Sequence, residues 1–219
     1  MPEPIYRVLR SRRRTLAITV SAGSVLVRAP LGMPDAAIAA FVAEKRGWIE
    51  RKLHEYADDR FIAVRRGERI LDAGELRQVT YGAPRDGEDA EGFFFRSAQS
   101  VRRYFERTRG PVLVDALHAL SRSIGVAAAD VKLRDFKARW GSCDAKGVVC
   151  LNWRLTMLPL PLRDYVLVHE LCHRRHLDHS PAFWAEVARF CPDYAHLRGE
   201  LRAYSFLTLL YRKRSPEGR

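Results

Sequence analysis

Residues 169–179 read His169-Glu170-Leu171-Cys172-His173-Arg174-Arg175-His176-Leu177-Asp178-His179. On a helix, His169 and His173 stand about 6 Å apart along the axis and about 40° apart around it. Two imidazoles so placed can converge on one ion, with Glu170 beside it as a candidate general base. The same spacing also arises on an ordinary helix with one surface and one core histidine, so a metal site needs a further ligand. His176 would lie about 10 Å along an unbroken helix from His169, too far to share a tetrahedral ion. His179 is better placed. Asp178 to Pro181 reads as a helix stop and restart, with Ser180 as N-cap and Pro181 at the first helical position. A chain that turns there can fold an imidazole back over the first helix. Asp178 either orients an imidazole through its free ring nitrogen or simply ends the helix at the surface.

The 219 residues accommodate one or two domains with a proper core. A hydrophobic share of 47% beside 29% charged residues excludes a disordered chain. No stretch reaches the roughly 18 apolar residues of a membrane span. The opening Met-Pro-Glu-Pro-Ile-Tyr-Arg lacks the apolar centre of a signal peptide, so a cytoplasmic address without membrane contact is expected. Cys143, Cys150, Cys172 and Cys191 form no C-x-x-C pair. Reduced thiols follow, and Cys172 is expected to be a small buried side chain. The net charge of +12 is overwhelmingly arginine. It marks either a solvated basic surface or nucleic-acid contact, and no recognised nucleic-acid module accompanies it.

In chain order, Ile5 to Ala29 alternates as strands, with a turn at Ala22-Gly23-Ser24 and a stop at Pro30. Pro34 and Asp35 open a helix to about Tyr56, in which Ile38, Phe41, Val42, Trp48, Ile49 and Leu53 follow helical spacing. Short strands are expected from Ile62 to Tyr81, with turns at Gly67 and Gly74, then a polar loop from Arg85 to Gly92 and a buried strand at Phe93-Phe94-Phe95. Ser100 to Ile124 reads as helix, interrupted at Gly110-Pro111. Strands are expected at Val131–Phe136 and Val148–Trp153, joined through residues 141–147. Helices are expected from Leu162 to about Leu177, from Pro181 to Phe190, and from Pro192-Asp193 towards Leu210. This gives an α+β chain: a β-rich N-terminal region with one helix (1–96), a catalytic domain (97–211) whose active-site helix packs on a small sheet, and a basic disordered tail (212–219).

A second constellation precedes the histidines. Arg139-Trp140-Gly141-Ser142-Cys143 and then residues 147–152 make a loop followed by a strand. In zinc peptidases an extended substrate commonly pairs with an exposed strand above the metal, and Val148–Asn152 is the candidate edge. Arg139, Trp140 and Asn152 are the candidate substrate-binding residues. Arg139 either stabilises an oxyanion or grips an acidic group, or it serves a structural ion pair. Trp140 is either core or a substrate platform.

Taken together, R-W-G-S-C (139–143), L-N-W-R-L (151–155), D-Y-V-L-V-H-E-L-C-H (164–173) and H-S-P-A-F-W (179–184) resemble the YgjP-like metallopeptidase family, itself similar to the SprT and WLM proteases. The resemblance is strong over residues 134–204 and looser over the N-terminal strands and the 41–52 helix. It implies a zincin-like domain with His169, His173 and His179 as ligands to Zn2+ and Glu170 as catalytic acid/base. The ligand spacing equals that of metzincins, but His176 stands where those have glycine, and no Met-turn is found. The expected function is a zinc-dependent peptidase acting on peptides or proteins, with Glu170 activating the attacking water. A non-peptide zinc amidohydrolase is an alternative. So is a basic nucleic-acid-associated module with structural zinc, which would call for four protein ligands.

Overall fold

A computed structural model of the protein describes residues 6–21, 24–57 and 59–211. The architecture is α+β, as expected. It divides into two compact units, Met1–Arg65 and Arg66–Arg219, so the boundary expected at 96/97 falls inside the second. The expected strand start at Ile5, the turn residues Ala22 and Gly23, and the tail 212–219 lie outside the described residues.

In the first unit, β1 (Tyr6–Ser11), β2 (Ala17–Ser21) and β3 (Ser24–Pro30) form a sheet in the order β1-β3-β2. β3 runs antiparallel to β2 and parallel to β1. The two-residue alternation of β3 sends Val25, Val27 and Ala29 inward. They join Ile38 and Val42 of α1 (Asp35–Glu44) and Ile49 of α2 (Arg46–Ala57) in one apolar core. The single helix expected here is broken at Lys45, where ψ opens to 6°. α3 (Asp59–Arg66) takes the place of the strand expected from Ile62. Its buried residues Phe61 and Val64 are three apart, a helical spacing that outweighs the β-branched composition.

The second unit opens with β4 (Arg69–Asp72), β5 (Glu75–Tyr81), β6 (Gly87–Glu88) and β7 (Gly92–Phe95), ordered β4-β5-β7-β6. Two contacts explain why this sheet belongs here and not with the N-terminal strands. First, Phe93 and Phe95 pack on Tyr104 of α4 (Ser100–Thr108), at 6.1 and 5.4 Å between ring centroids. Second, the β4–β5 turn has positive φ at both Ala73 and Gly74, the hairpin geometry that matches strand twist. Its amides donate to Thr156 O (2.9 Å) and Met157 O (3.0 Å) of the 3-10 segment Trp153–Met157. A Cβ on Gly74 would sit 2.8 Å from Pro159 Cα, so only glycine lets the turn approach that closely.

α4 is followed by α5 (Gly110–Ile124), the break falling at Gly110-Pro111 as expected. β8 (Asp130–Arg134), β9 (Gly141–Cys143) and β10 (Val148–Asn152) form a sheet in the order β8-β10-β9. β10, expected to be an edge, is therefore the central strand, parallel to β8 and antiparallel to β9. The edge beside the histidines is β9. α6 (Leu160–Cys172) packs against β9, α5, α7 (Pro181–Phe190) and α8 (Tyr194–Glu200). It starts two residues earlier and ends five residues sooner than expected from the sequence. A 3-10 segment, Leu201–Leu209, completes the described chain in place of a continuous third helix.

The 3-10 segment before α6 carries a fully buried guanidinium. Arg154 Nη1 lies 2.6 Å from Asp135 Oδ1, Nε donates to Leu210 O at 3.1 Å, and Cζ stands 4.5 Å over the Trp153 ring. A buried charge stripped of its counter-ion costs more than the pair contributes. Asp135→Ala is therefore expected to destabilise the protein by about 3 kcal/mol in urea denaturation, and adding Arg154→Met should recover part of that loss. A loss for Asp135→Ala within the roughly 1 kcal/mol of a surface ion pair would refute the assignment.

Candidate metal centre

α6 carries His169 and Glu170 in its last turn and stops at Cys172, with His173 as its C-cap. The stop is built locally. Arg174 N donates to Leu171 O at 2.9 Å and His176 N to Cys172 O at 3.1 Å, which closes the last turn and directs the chain outward. His173 Nδ1 lies 2.9 Å from His176 O, so the imidazole itself braces the turn and presents Nε2 on its other side. Asp178 Oδ1 then accepts from Ser180 N (3.1 Å), and Ser180 caps α7 by accepting from Phe183 N (3.4 Å), with Pro181 in the first turn. The restart read from the sequence is present, and it swings His179 back to the end of α6.

The three imidazoles form a nearly equilateral triangle. Ring centroids are 5.0 Å apart for His169–His173, 5.1 Å for His169–His179 and 4.8 Å for His173–His179. One nitrogen from each lies within 4.8 Å of the others, and His169 Nε2 and His179 Nε2 are 3.2 Å apart. Two nitrogens on a tetrahedral zinc stand about 3.3 Å apart, given Zn–N bonds of about 2.0–2.1 Å. His169 Nδ1 is buried without a partner, so Nε2 is the polar outlet of that ring. Three imidazole nitrogens at this spacing fit a divalent transition metal. His176 stays outside the group; it is half-buried and contributes its carbonyl. Asp178 is occupied by Ser180.

Two residues that sequence reasoning left unassigned hold the triangle. Phe183 is fully buried, and its ring lies 4.6 Å from His173, 4.8 Å from His179 and 4.9 Å from His169. Trp184 lies 5.7 Å from His169 and 5.8 Å from His179. The available signal was two adjacent aromatics in the first turn of a helix that begins immediately after the third histidine. Gly141 is the other omission. A Cβ there would stand 2.6 Å from Glu170 Oε1 and 2.7 Å from its Cδ, so β9 lies directly on the carboxyl group.

Burial dominates the electrostatics. It pushes His169 down to about 3, with His173, His179 and Arg198 adding to the effect, and it also lowers His173. His169 and His173 are thus held towards the neutral form with lone pairs free. Glu170, 5% exposed, is pushed up to about 8 by burial, and Arg139 pulls against that shift.

The three candidate substrate residues fare differently. Arg139 is exposed, its guanidinium 5.2 Å over the Phe136 ring. Trp140 is half-buried, and its carbonyl accepts from Asn152 N at 2.8 Å. Asn152 is fully buried: Nδ2 donates to Phe136 O (3.1 Å) and Arg139 O (3.0 Å), while Oδ1 accepts from Arg154 N (3.2 Å). It does not face a substrate. Its amide is consumed in tying the loop before β9 to β10.

The sequence profile of the YgjP-like, metallopeptidase domain family matches residues 14–85 and 94–204. Among solved structures, the chain is similar to the crystal structure of the metallopeptidase zymogen of Pyrococcus abyssi abylysin. The identity is 23% and the TM-score 0.39, over 42% of this chain and 93% of that one. No curated protein matches. No helix among the described residues is long and apolar enough to cross a membrane.

A carboxyl group whose pKa rises on folding, here from 4.5 to about 8, favours the fold in its protonated form. The folded protein keeps a proton that the unfolded chain releases, so this contribution is lost as pH rises from 4.5 through 8. In metal-free protein, Glu170→Gln should therefore gain thermal stability relative to wild type between pH 5 and 8, measured by paired melting curves. A difference that stays constant over that range counts against the buried carboxyl.

Proposed function

The chain belongs to the YgjP-like metallopeptidase family and is accordingly a metal-dependent peptidase. We propose that it hydrolyses peptide bonds at a zinc ion held by His169, His173 and His179, with Glu170 as general base and then general acid. The observation that carries this reading is the convergence of three imidazoles at metal-ligand spacing, next to a carboxyl group buried under a strand edge. When bound, zinc supplies Lewis acidity, acidifying water and polarising a carbonyl oxygen.

The remaining chemistry belongs to the chain. Glu170 takes the proton of the attacking water and returns it to the leaving amine, and burial between α6 and β9 holds its carboxyl in one place for both transfers. A proton affinity raised by burial and pulled back by positive charge suits a group that must accept and donate near neutral pH. Arg139 contributes to that pull from beyond β9.

Substrate placement falls to β9. Asn152 N donates to Trp140 O (2.8 Å) and Asp144 N to Val148 O (3.2 Å), bracketing the register Gly141↔Leu151, Ser142↔Cys150 and Cys143↔Val149. Because antiparallel pairs alternate between bonded and non-bonded, Gly141 and Cys143 turn their N–H and C=O groups away from β10. An extended peptide pairing with those groups would lie across the face where Glu170 sits. β9 thus takes over the role expected of residues 148–152.

A structural zinc site is normally closed by four protein ligands. Among the described residues the group comprises three histidines, which supports an open, catalytic site over the structural alternative. Glu170→Gln should retain stoichiometric zinc by metal analysis and lose at least a hundredfold in kcat on a peptide library. Wild-type turnover by the zinc-loaded variant would remove Glu170 from the mechanism. Gly141→Ala should likewise keep its zinc, because no ligand moves, yet lose about a hundredfold in kcat/KM as the carboxyl is displaced.

A further inference from the structure

Arg198 on α8 is a charged group that none of the chemistry above uses. Its Cζ lies 4.6 Å over the Trp184 ring, and Tyr194, one turn earlier on the same helix, stacks on that indole at 5.3 Å and 19°. Trp184 in turn lies within 6 Å of the His169 and His179 rings, at 5.7 and 5.8 Å, so a single indole separates the guanidinium from two ligands of the centre. Stacking on an aromatic face fixes the plane of a guanidinium while leaving its N–H fork free to bind.

Arg198 is exposed, and no carboxylate among the described residues pairs with it. Glu200, two residues on, is taken by His196 at 3.9 Å. The arginines nearby on α6 and its turn contrast with it: Arg163 is paired with Asp164, Arg175 with Glu186, and Arg174 donates to the carbonyls of Ala127 and Ala145. A second guanidinium, Arg139, is held in the same manner over Phe136, ahead of β9. Two ring-stacked cations therefore border the centre, one beside the strand edge and one beside the indole. A preordered fork without a counter-ion loses little entropy on gripping a carboxylate.

We propose that Arg198 is a specificity-determining residue that grips a substrate carboxylate, directing the enzyme to chains with an acidic side chain or a C-terminal carboxylate close to the cut bond. This rests on the peptidase reading, so the test separates the two.

The first arm needs no turnover. The Arg198 Nε–Hε resonance of the full-length protein, assigned with R198K, is followed by NMR while N-acetylglutamate α-amide or its glutamine counterpart is added. The carboxylate compound should shift it at millimolar concentration and the neutral one should not; equal or absent shifts overturn the proposal. The second arm measures binding of labelled peptides to the zinc-loaded E170Q protein by fluorescence anisotropy. Peptides carrying Glu should bind about tenfold tighter than Gln isosteres at one position near the cut. Free and amidated C-termini distinguish a side-chain from a terminal carboxylate. That ratio should fall to near parity when R198Q is added and persist when R189Q is added, since Arg189 stacks on Phe190 instead. Discrimination that survives R198Q overturns the proposal. A responsive Arg198 signal in a zinc-loaded wild type that cleaves nothing would support the carboxylate grip and sink the peptidase reading alone.

Discussion

Three side chains can share a cation only if the chain bearing the third comes back to the other two, and the whole catalytic unit depends on that return. Five residues separate His173 from His179, and hydrogen bonds at both ends of them build the reversal. His173 braces it through His176 O, Asp178 receives Ser180 N, and Ser180 caps the next helix. Phe183 closes the arrangement from behind, in ring contact with all three imidazoles. His173 thus helps to build the turn that delivers His179. The histidine cluster and the chain reversal are a single piece of structure.

The environment that shapes the site also works against the charged forms of its members. Burial drives His169 towards the neutral base and Glu170 towards the neutral acid. Both shifts cost stability in the pH range where the unfolded chain would carry the charge. A divalent cation held by the histidines would reverse the balance for the carboxyl group, which would link metal uptake to proton release at this position.

How much could be read beforehand follows from how local each feature is. The convergence of the three histidines was legible because helix periodicity and capping act over a few residues; Ser180 and Pro181 fixed the start of α7 by themselves. Sheet order is not local in that sense. Val148–Asn152 reads as a strand but was assigned to an edge, although a near-continuous apolar run points to a strand flanked on both sides. Asn152 looked like a polar group facing a substrate because nothing nearby in sequence shows that two distant carbonyls consume its amide. Ile62 and Val64 suggested a strand by composition, and the spacing of Phe61 and Val64 decided for a helix. Gly141 drew no role from the sequence, since its reason lies across space in a carboxyl group 29 residues further on.

The turn at Ala73-Gly74 has a consequence for where this enzyme can be divided. By docking its two amides on Thr156 and Met157 and its bare Cα against Pro159, it clasps the segment from which the ligand-bearing helix departs. A catalytic module excised at residue 97 would leave that departure point with an unsatisfied pair of carbonyls and an open apolar seam. The compact unit that contains both begins at Arg66, so a fusion boundary placed there keeps the clasp together with the histidine cluster.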